Sequence, residues 1–219
     1  MNYNFNENEV TPLCEIMCRN KSDKGHTDLK KAWHNYTTFY YSIFKNMQDK
    51  ELRIFELGIG SNNPNFPCYM GVDARPGASL YGWNEFFYNS KIYGADIDKD
   101  ILFNTDSIKT FYCDQRDPNI IHNMWNEPEL KENFDIIIDD GFHNIYANIC
   151  FFENSIHKLK SKGYYIIEDI HNTYLETYSK IIKEWTNIYK DCTFTILEIP
   201  SISNIGSNRD NNLLVIYKK

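Results

Sequence analysis

The chain has no apolar run approaching the roughly 18 consecutive residues that a membrane span requires, so a membrane-embedded protein is not expected. It is also short of positive charge, with 23 Lys and Arg against 30 Asp and Glu and a formal net charge of −7. Phosphate binding wants a basic face, so this balance argues against nucleic acid as the main partner. Its six cysteines, Cys14, Cys18, Cys68, Cys113, Cys150 and Cys192, are scattered. Only Cys14 and Cys18 are close, and no second pair completes a zinc-type set, so reduced thiols are expected. No G-x-x-x-x-G-K-[ST] stretch is present, which argues against a nucleoside triphosphate site. Internal repeats and low-complexity linkers are absent as well. The opening MNYNFNENEV is polar and acidic, giving the expectation of a cytoplasmic protein.

What is present is an ordinary globular composition, 42% hydrophobic and 24% charged, in 219 residues. That length suits one sizeable domain with a real core. The organising stretch is Arg53–Gly60, RIFELGIG: a buried strand that runs into a carboxylate and two close glycines. A strand emptying into a Gly-rich turn is how nucleotide-containing cofactors are commonly cradled, although this turn lacks the third glycine of the dinucleotide fingerprint.

Further strands are expected at Lys91–Asp98, Thr110–Asp114, Phe134–Asp140, Gly163–Asp169, Thr193–Ile199 and Asn212–Tyr217. Between them lie helical patterns at Ser79–Tyr88, Phe103–Ile108, Ile120–Trp125, Ile145–Leu159 and Tyr174–Tyr189. Upstream, a short helix around Leu13 and Met17 precedes a long amphipathic helix from Asp28 to about Asp49. Alternating strands and helices predict an α/β, Rossmann-like, doubly wound and mostly parallel seven-stranded sheet. Helices would cover both faces, and the last two strands would form an antiparallel hairpin. Residues 1–50 read as an N-terminal helical cap, and 51–219 as the Rossmann-like domain.

Five strands in turn end in acids: Glu56, Asp96, Asp114, Asp139/Asp140 and Glu168/Asp169. Ligands of open α/β sheets bind beyond the carboxyl ends of the strands. Asp96, with Asp98 as competitor, is placed to accept ribose hydroxyls. Asp114 and Gln115 can meet an adenine, and Glu56 and the glycines the remainder of the ligand. An acid-lined pocket suits a cationic ligand, which points to S-adenosylmethionine rather than a pyrophosphate. A second cluster, Asp140, Glu168 and Asp169, can converge because neighbouring strands lie about 5 Å apart. Three carboxylates suit Mg²⁺, and His143 beside them suits a general base. The same spacing is also met by aspartates that only cap helices and by a surface histidine.

Several motifs resemble the class I S-adenosylmethionine-dependent O-methyltransferases that act on sugars, of the bacterial macrocin and mycinamicin type. They are Ser22-Asp23-Lys24-Gly25, His34-Asn35-Tyr36-Thr37 with Tyr40 to Phe44, FELGIG, GASLYGWNEFF, YGADID, CDQRDP, IIIDDGFHN and YYIIEDI. The resemblance covers residues 22–171. It departs at Phe142, where the family has Ser, and in the longer loop Ser61–Val72.

The resemblance implies S-adenosylmethionine and Mg²⁺ as cofactors, with Asp140, Glu168 and Asp169 as metal ligands and His143, with Asp140, as the catalytic centre. Glu56, Gly58, Gly60, Ser79, Asp96, Asp98, Asp114, Gln115, Asp139 and Lys24 are the implied cofactor contacts. Lys24 and His34 would close over the cofactor or serve only the fold. The expected acceptor is a sugar hydroxyl, nucleotide-linked, destined for a surface polysaccharide, or on a glycosylated natural product. A catechol or another small hydroxyl acceptor, and a non-catalytic S-adenosylmethionine-binding protein, are the alternatives. A homo-oligomer is left open.

Overall fold

A computed structural model describes residues 3–66, 69–206 and 208–219, so that Cys68 lies outside the described residues. The strands are β1 (Arg53–Leu57), β2 (Lys91–Asp96), β3 (Ile108–Tyr112), β4 (Phe134–Asp139), β5 (Leu159–Ile167), β6 (Cys192–Glu198) and β7 (Asn212–Lys218). They make one sheet in the order β3-β2-β1-β4-β5-β7-β6. The first five are parallel, and β7 runs antiparallel between β5 and β6. The expected doubly wound sheet with its C-terminal hairpin is therefore what the chain forms. Strand order reverses between β1 and β4, which is where such sheets open a binding crevice.

The helices are α1 (Pro12–Asn20), α2 (Tyr36–Phe44), α3 (Ala78–Phe86), α4 (Pro118–Trp125), α5 (Ile145–Ser155) and α6 (Leu175–Ile188). Their starts are written in the sequence: Pro12 and Pro118 stand in the first turns of α1 and α4, while Thr11, Asp117 and Asn144 cap α1, α4 and α5. Among the described residues no helix is long and apolar enough to cross a membrane.

Side chains alternate across the sheet, and each face has its own core. On one face Ile54, Ile136, Ile138 and Ile166 pack with Leu13, Met17, Tyr36, Phe39, Tyr40 and Phe44 of α1 and α2 and with Leu80, Trp83 and Phe86 of α3. On the other, Phe55, Leu57, Ile137, Tyr165 and Ile167 pack with Trp125, Phe151, Phe152, Tyr178 and Trp185 of α4 to α6. The N-terminal cap thus shares a core with the sheet.

Two expected elements differ. The long helix from Asp28 is broken: Asp28 caps a single 3₁₀ turn at Leu29–Lys31, and α2 starts only at Tyr36. Tertiary hydrogen bonds outweigh helical periodicity here, because Asn35 Nδ2 donates to the Glu7 and Pro200 carbonyls at 2.9 and 3.0 Å. The helix expected at 103–108 is a turn into β3, closed by Thr105 N–H on the Ile108 carbonyl at 2.8 Å. Phe103 is held there by its own N–H and carbonyl, each 2.6 Å from the Thr110 hydroxyl.

Phe152 is fully buried, with ring centroids 4.1 Å from Trp185 and 5.2 Å from Tyr165. Truncating such a ring leaves a cavity that rigid neighbours do not refill. Phe152→Ala is expected to cost about 3–5 kcal/mol of stability, read from urea unfolding.

Candidate active site

The alternation that builds the two cores also sorts the acids at the strand ends. Glu56, Asp140 and Glu168 continue the face of Ile54, Ile138 and Ile166, whereas Asp139 continues the face of Ile137. Ladder-like bonds carry each strand one residue further: Asp140 N–H meets the Leu57 carbonyl at 2.9 Å, and Glu168 N–H the Asp139 carbonyl at 3.0 Å. Three carboxylates are thereby brought to one spot beneath α2 and α3.

Lys24 meets them there. It is 1% exposed, and its Nζ lies 2.5 Å from both Asp140 Oδ2 and Glu168 Oε2 and 3.8 Å from Glu56 Oε1. Burial works against its charge, but the carboxylates of Asp140, Glu168 and Glu56 outweigh that and raise the ammonium well above the ordinary lysine value. Burial pushes the Asp140 and Glu168 carboxyls up, with Lys24 opposing. Tyr40 OH donates to the other Glu168 oxygen. Glu56 is held by Ser79 Oγ and, at 2.5 Å, by Trp83 Nε1.

Asp169, the next residue, has a left-handed backbone, φ 54°. It accepts from Tyr36 OH at 2.6 Å, and it faces His143 Nδ1 at 3.2 Å and His34 Nε2 at 3.6 Å. Burial would raise its pKa, but His34, His143 and the Tyr36 bond outweigh burial and lower it. Asp140, His143 and Asp169 each present a ligand-type atom within 4.8 Å of the others. Two carboxylates with an imidazole nitrogen beside them can hold a divalent cation such as Mg²⁺. Glu168, expected in the same set, has its oxygens engaged by Lys24 and Tyr40.

Beside this cluster a cleft enclosing about 1060 Å³, open solvent at its mouth included, runs over the ends of β1 to β4. Gly58, Gly60, Ser79, Asp96, Asp114, Gln115, Asp140, His143 and Asp169 all line it. Gly58 and Gly60 have φ of 82° and 83°, and a Cβ on Gly58 would stand 2.0 Å from the Asp140 carbonyl oxygen. Asp96 anchors the turn by accepting from Ile59 N–H and Asp98 N–H, both at 2.9 Å. Burial raises its pKa. Asp114 is gripped by Arg116 at 2.7–2.8 Å, and that hydrogen bonding holds it below the usual carboxylate range.

Four of the expected contacts lie behind the wall rather than on it. Asp98 accepts from Ser61 Oγ at 2.5 Å and so pins the glycine turn. Asp139 accepts from Asn148 Nδ2 at 3.0 Å and Gln115 Nε2 at 3.2 Å, with burial pushing it up to about 6. Glu56 and Lys24 lie in the buried ion cluster described above. Sequence reasoning passed over Tyr36, Tyr40, Trp83, Asn148 and Arg116, which hold Asp169, Glu168, Glu56, Asp139 and Asp114. The signal for the two tyrosines was their four-residue spacing, which puts both phenols on one face of α2.

No family model matches the chain. An L-olivosyl-oleandolide 3-O-methyltransferase of Streptomyces antibioticus is 30% identical over 172 residues, 78% of this chain and 40% of the relative. A demethylmacrocin O-methyltransferase of Streptomyces fradiae is 32% identical over 143 residues, 64% of this chain and 33% of the relative. The mycinamicin-pathway methyltransferase MycE, solved with Mg and SAH, superposes with a TM-score of 0.70 at 21% identity, over 96% of this chain and 55% of that one. The chain is a relative of the sugar O-methyltransferases. Its fold is that of the class I S-adenosylmethionine-dependent methyltransferases, as the resemblance implied. It spans 38–40% of the length of the first curated relatives it matches.

The close approach at Gly58 gives a stability prediction. Gly58→Ala would have to shift the Asp140 carbonyl and also strain a positive φ, so a loss of at least about 1–3 kcal/mol is expected. Thermal unfolding, followed by circular dichroism, measures it.

Proposed function

We propose that the chain is the catalytic unit of an S-adenosylmethionine- and divalent-cation-dependent O-methyltransferase acting on a sugar hydroxyl. The observation that carries this is the adjacency, on one cleft wall, of the glycine turn after β1 and the Asp140–His143–Asp169 cluster. The relatives named for rhamnosyl-tetracenomycin, olivosyl-oleandolide and demethylmacrocin support a glycosylated natural product as acceptor. A nucleotide-linked sugar and a surface polysaccharide belong to the same chemical class.

When bound, S-adenosylmethionine supplies an activated methyl group, and Mg²⁺ lowers the pKa of a nearby hydroxyl. Gly58 and Gly60 leave room for close approach along the turn, and Asp114 and Gln115 also line the cleft. Asp140 and Asp169 would hold the cation, with Glu168 joining them only by giving up its bond to Lys24. Asp169 Oδ2 lies 3.2 Å from His143 Nδ1, and Nε2 would then be the atom to accept the hydroxyl proton as the oxygen attacks. Holding donor and acceptor in the reactive orientation would supply much of the remaining acceleration.

Calorimetry with S-adenosylhomocysteine is expected to show one site per chain, and the absence of binding heat would overturn the cofactor assignment. With a glycoside acceptor, His143→Ala should lower kcat by about 10²–10⁴-fold while changing cofactor affinity by less than about threefold. A wild-type rate would remove His143 as base. EDTA should abolish turnover and added Mg²⁺ restore it; turnover that persists in EDTA would remove the cation.

A further inference from the structure

The buried cluster under the cleft is unbalanced. Glu56, Asp140 and Glu168 carry three carboxylates toward one ammonium, and the nearby imidazoles of His34 and His143 face Asp169 instead. Carboxylates withdrawn from water are costly unless a cation stays with them. Lys24 is well fixed in that role. Its carbonyl accepts from Thr37 N–H at 3.1 Å, its N–H donates to Ser22 Oγ at 3.3 Å, and its side chain is 2% exposed. The same Asp140 whose Oδ2 it binds is one of the three residues that present metal-type donor atoms to the cleft. One carboxylate is therefore shared between an internal ammonium and a cation site.

We propose that Lys24 is the resident cation of this cluster and competes with a divalent ion for Asp140. In the metal-free protein the ammonium keeps Asp140 and Glu168 in place. When a divalent ion is bound, Asp140 turns part or all of its charge toward it, and the hold of Lys24 weakens. Lys24 is then a positioning residue that sets metal affinity below what the carboxylates alone would give. This inference rests on the divalent-cation reading above, and the test separates the two.

The experiment uses the full chain, Mn²⁺ as the probe, and Lys24→Met, which keeps the length of the stem and removes the charge. Wild-type protein is expected to bind Mn²⁺ in calorimetry; no binding would overturn the divalent reading itself, before any variant is made. Metal-free Lys24→Met should melt several degrees lower than wild type, bind Mn²⁺ at least about 10-fold tighter, and regain the lost melting temperature on saturation. Mn²⁺ affinity equal to or weaker than wild type would overturn the competition while leaving the divalent reading intact. A variant that fails to fold without metal is expected to fold when Mn²⁺ is present, and one that stays unfolded in saturating Mn²⁺ would also overturn the proposal. For wild type, crystals soaked in Mn²⁺ should show Nζ withdrawn from its 2.5 Å contact with Asp140; an unmoved Nζ beside a bound ion would count against it.

Discussion

The ion cluster of Lys24 with Glu56, Asp140 and Glu168 is the constraint on which the rest of this structure depends. Each carboxylate follows from strand periodicity, and once β1, β4 and β5 are paired in register the three charges cannot avoid one another. A sheet with that feature is stable only if something cationic is delivered to its face. The segment before α2 delivers it, and α1, α2 and α3 then close over the cluster with Tyr40, Trp83 and Ser79 satisfying the remaining oxygens. The N-terminal cap is thus held to the sheet by charge as well as by its apolar stripe. Removing only one partner of such a cluster leaves the others buried and unpaired, which is why these residues behave as a unit.

The cleft shows a division of labour among acids that look alike in sequence. Asp96 and Asp98 spend their oxygens on the backbone and Ser61 at the glycine turn. Asp139 does the same for the turn after β4, through Gln115 and Asn148. Gln115 closes the circuit, since its Oε1 accepts from Phe142 N–H at 2.5 Å. These groups shape the wall and hold it rigid. Asp140 and Asp169 line the cleft and bring their oxygens close to each other.

Much of this was legible in the sequence because it depends on period-two alternation and on strand ends. The order of strands and helices, the cleft position and the gathering of acids all follow from local pattern. Alternation also contains the sorting of Asp139 from Asp140 onto opposite faces, although spacing alone treats the pair as interchangeable. What local pattern cannot carry is a contact made across a long separation. Lys24 reaches Asp140 and Glu168 over 116 and 144 residues, and nothing in the residues around Lys24 announces that it will be buried. The break before α2 is of the same kind, since Asn35 finds its partners at Glu7 and Pro200.

Backbone strain follows the same geography. Among the described residues, four non-glycine positions have positive φ: Lys21, His143, Lys162 and Asp169. Three of these, Lys21, His143 and Asp169, line the cleft. Such conformations cost about 1–3 kcal/mol each and persist only where surroundings over-determine them. Asp169 is over-determined by Tyr36, His34 and His143, and it in turn faces His143. The left-handed turn keeps Asp169 on the side of α2, where Tyr36 meets it beside the cleft, while Glu168 stays with Lys24. An extended backbone at 169 would carry its side chain to the face opposite Glu168, away from Tyr36 on α2. The left-handed turn thus joins the buried ion cluster to the wall of the cleft.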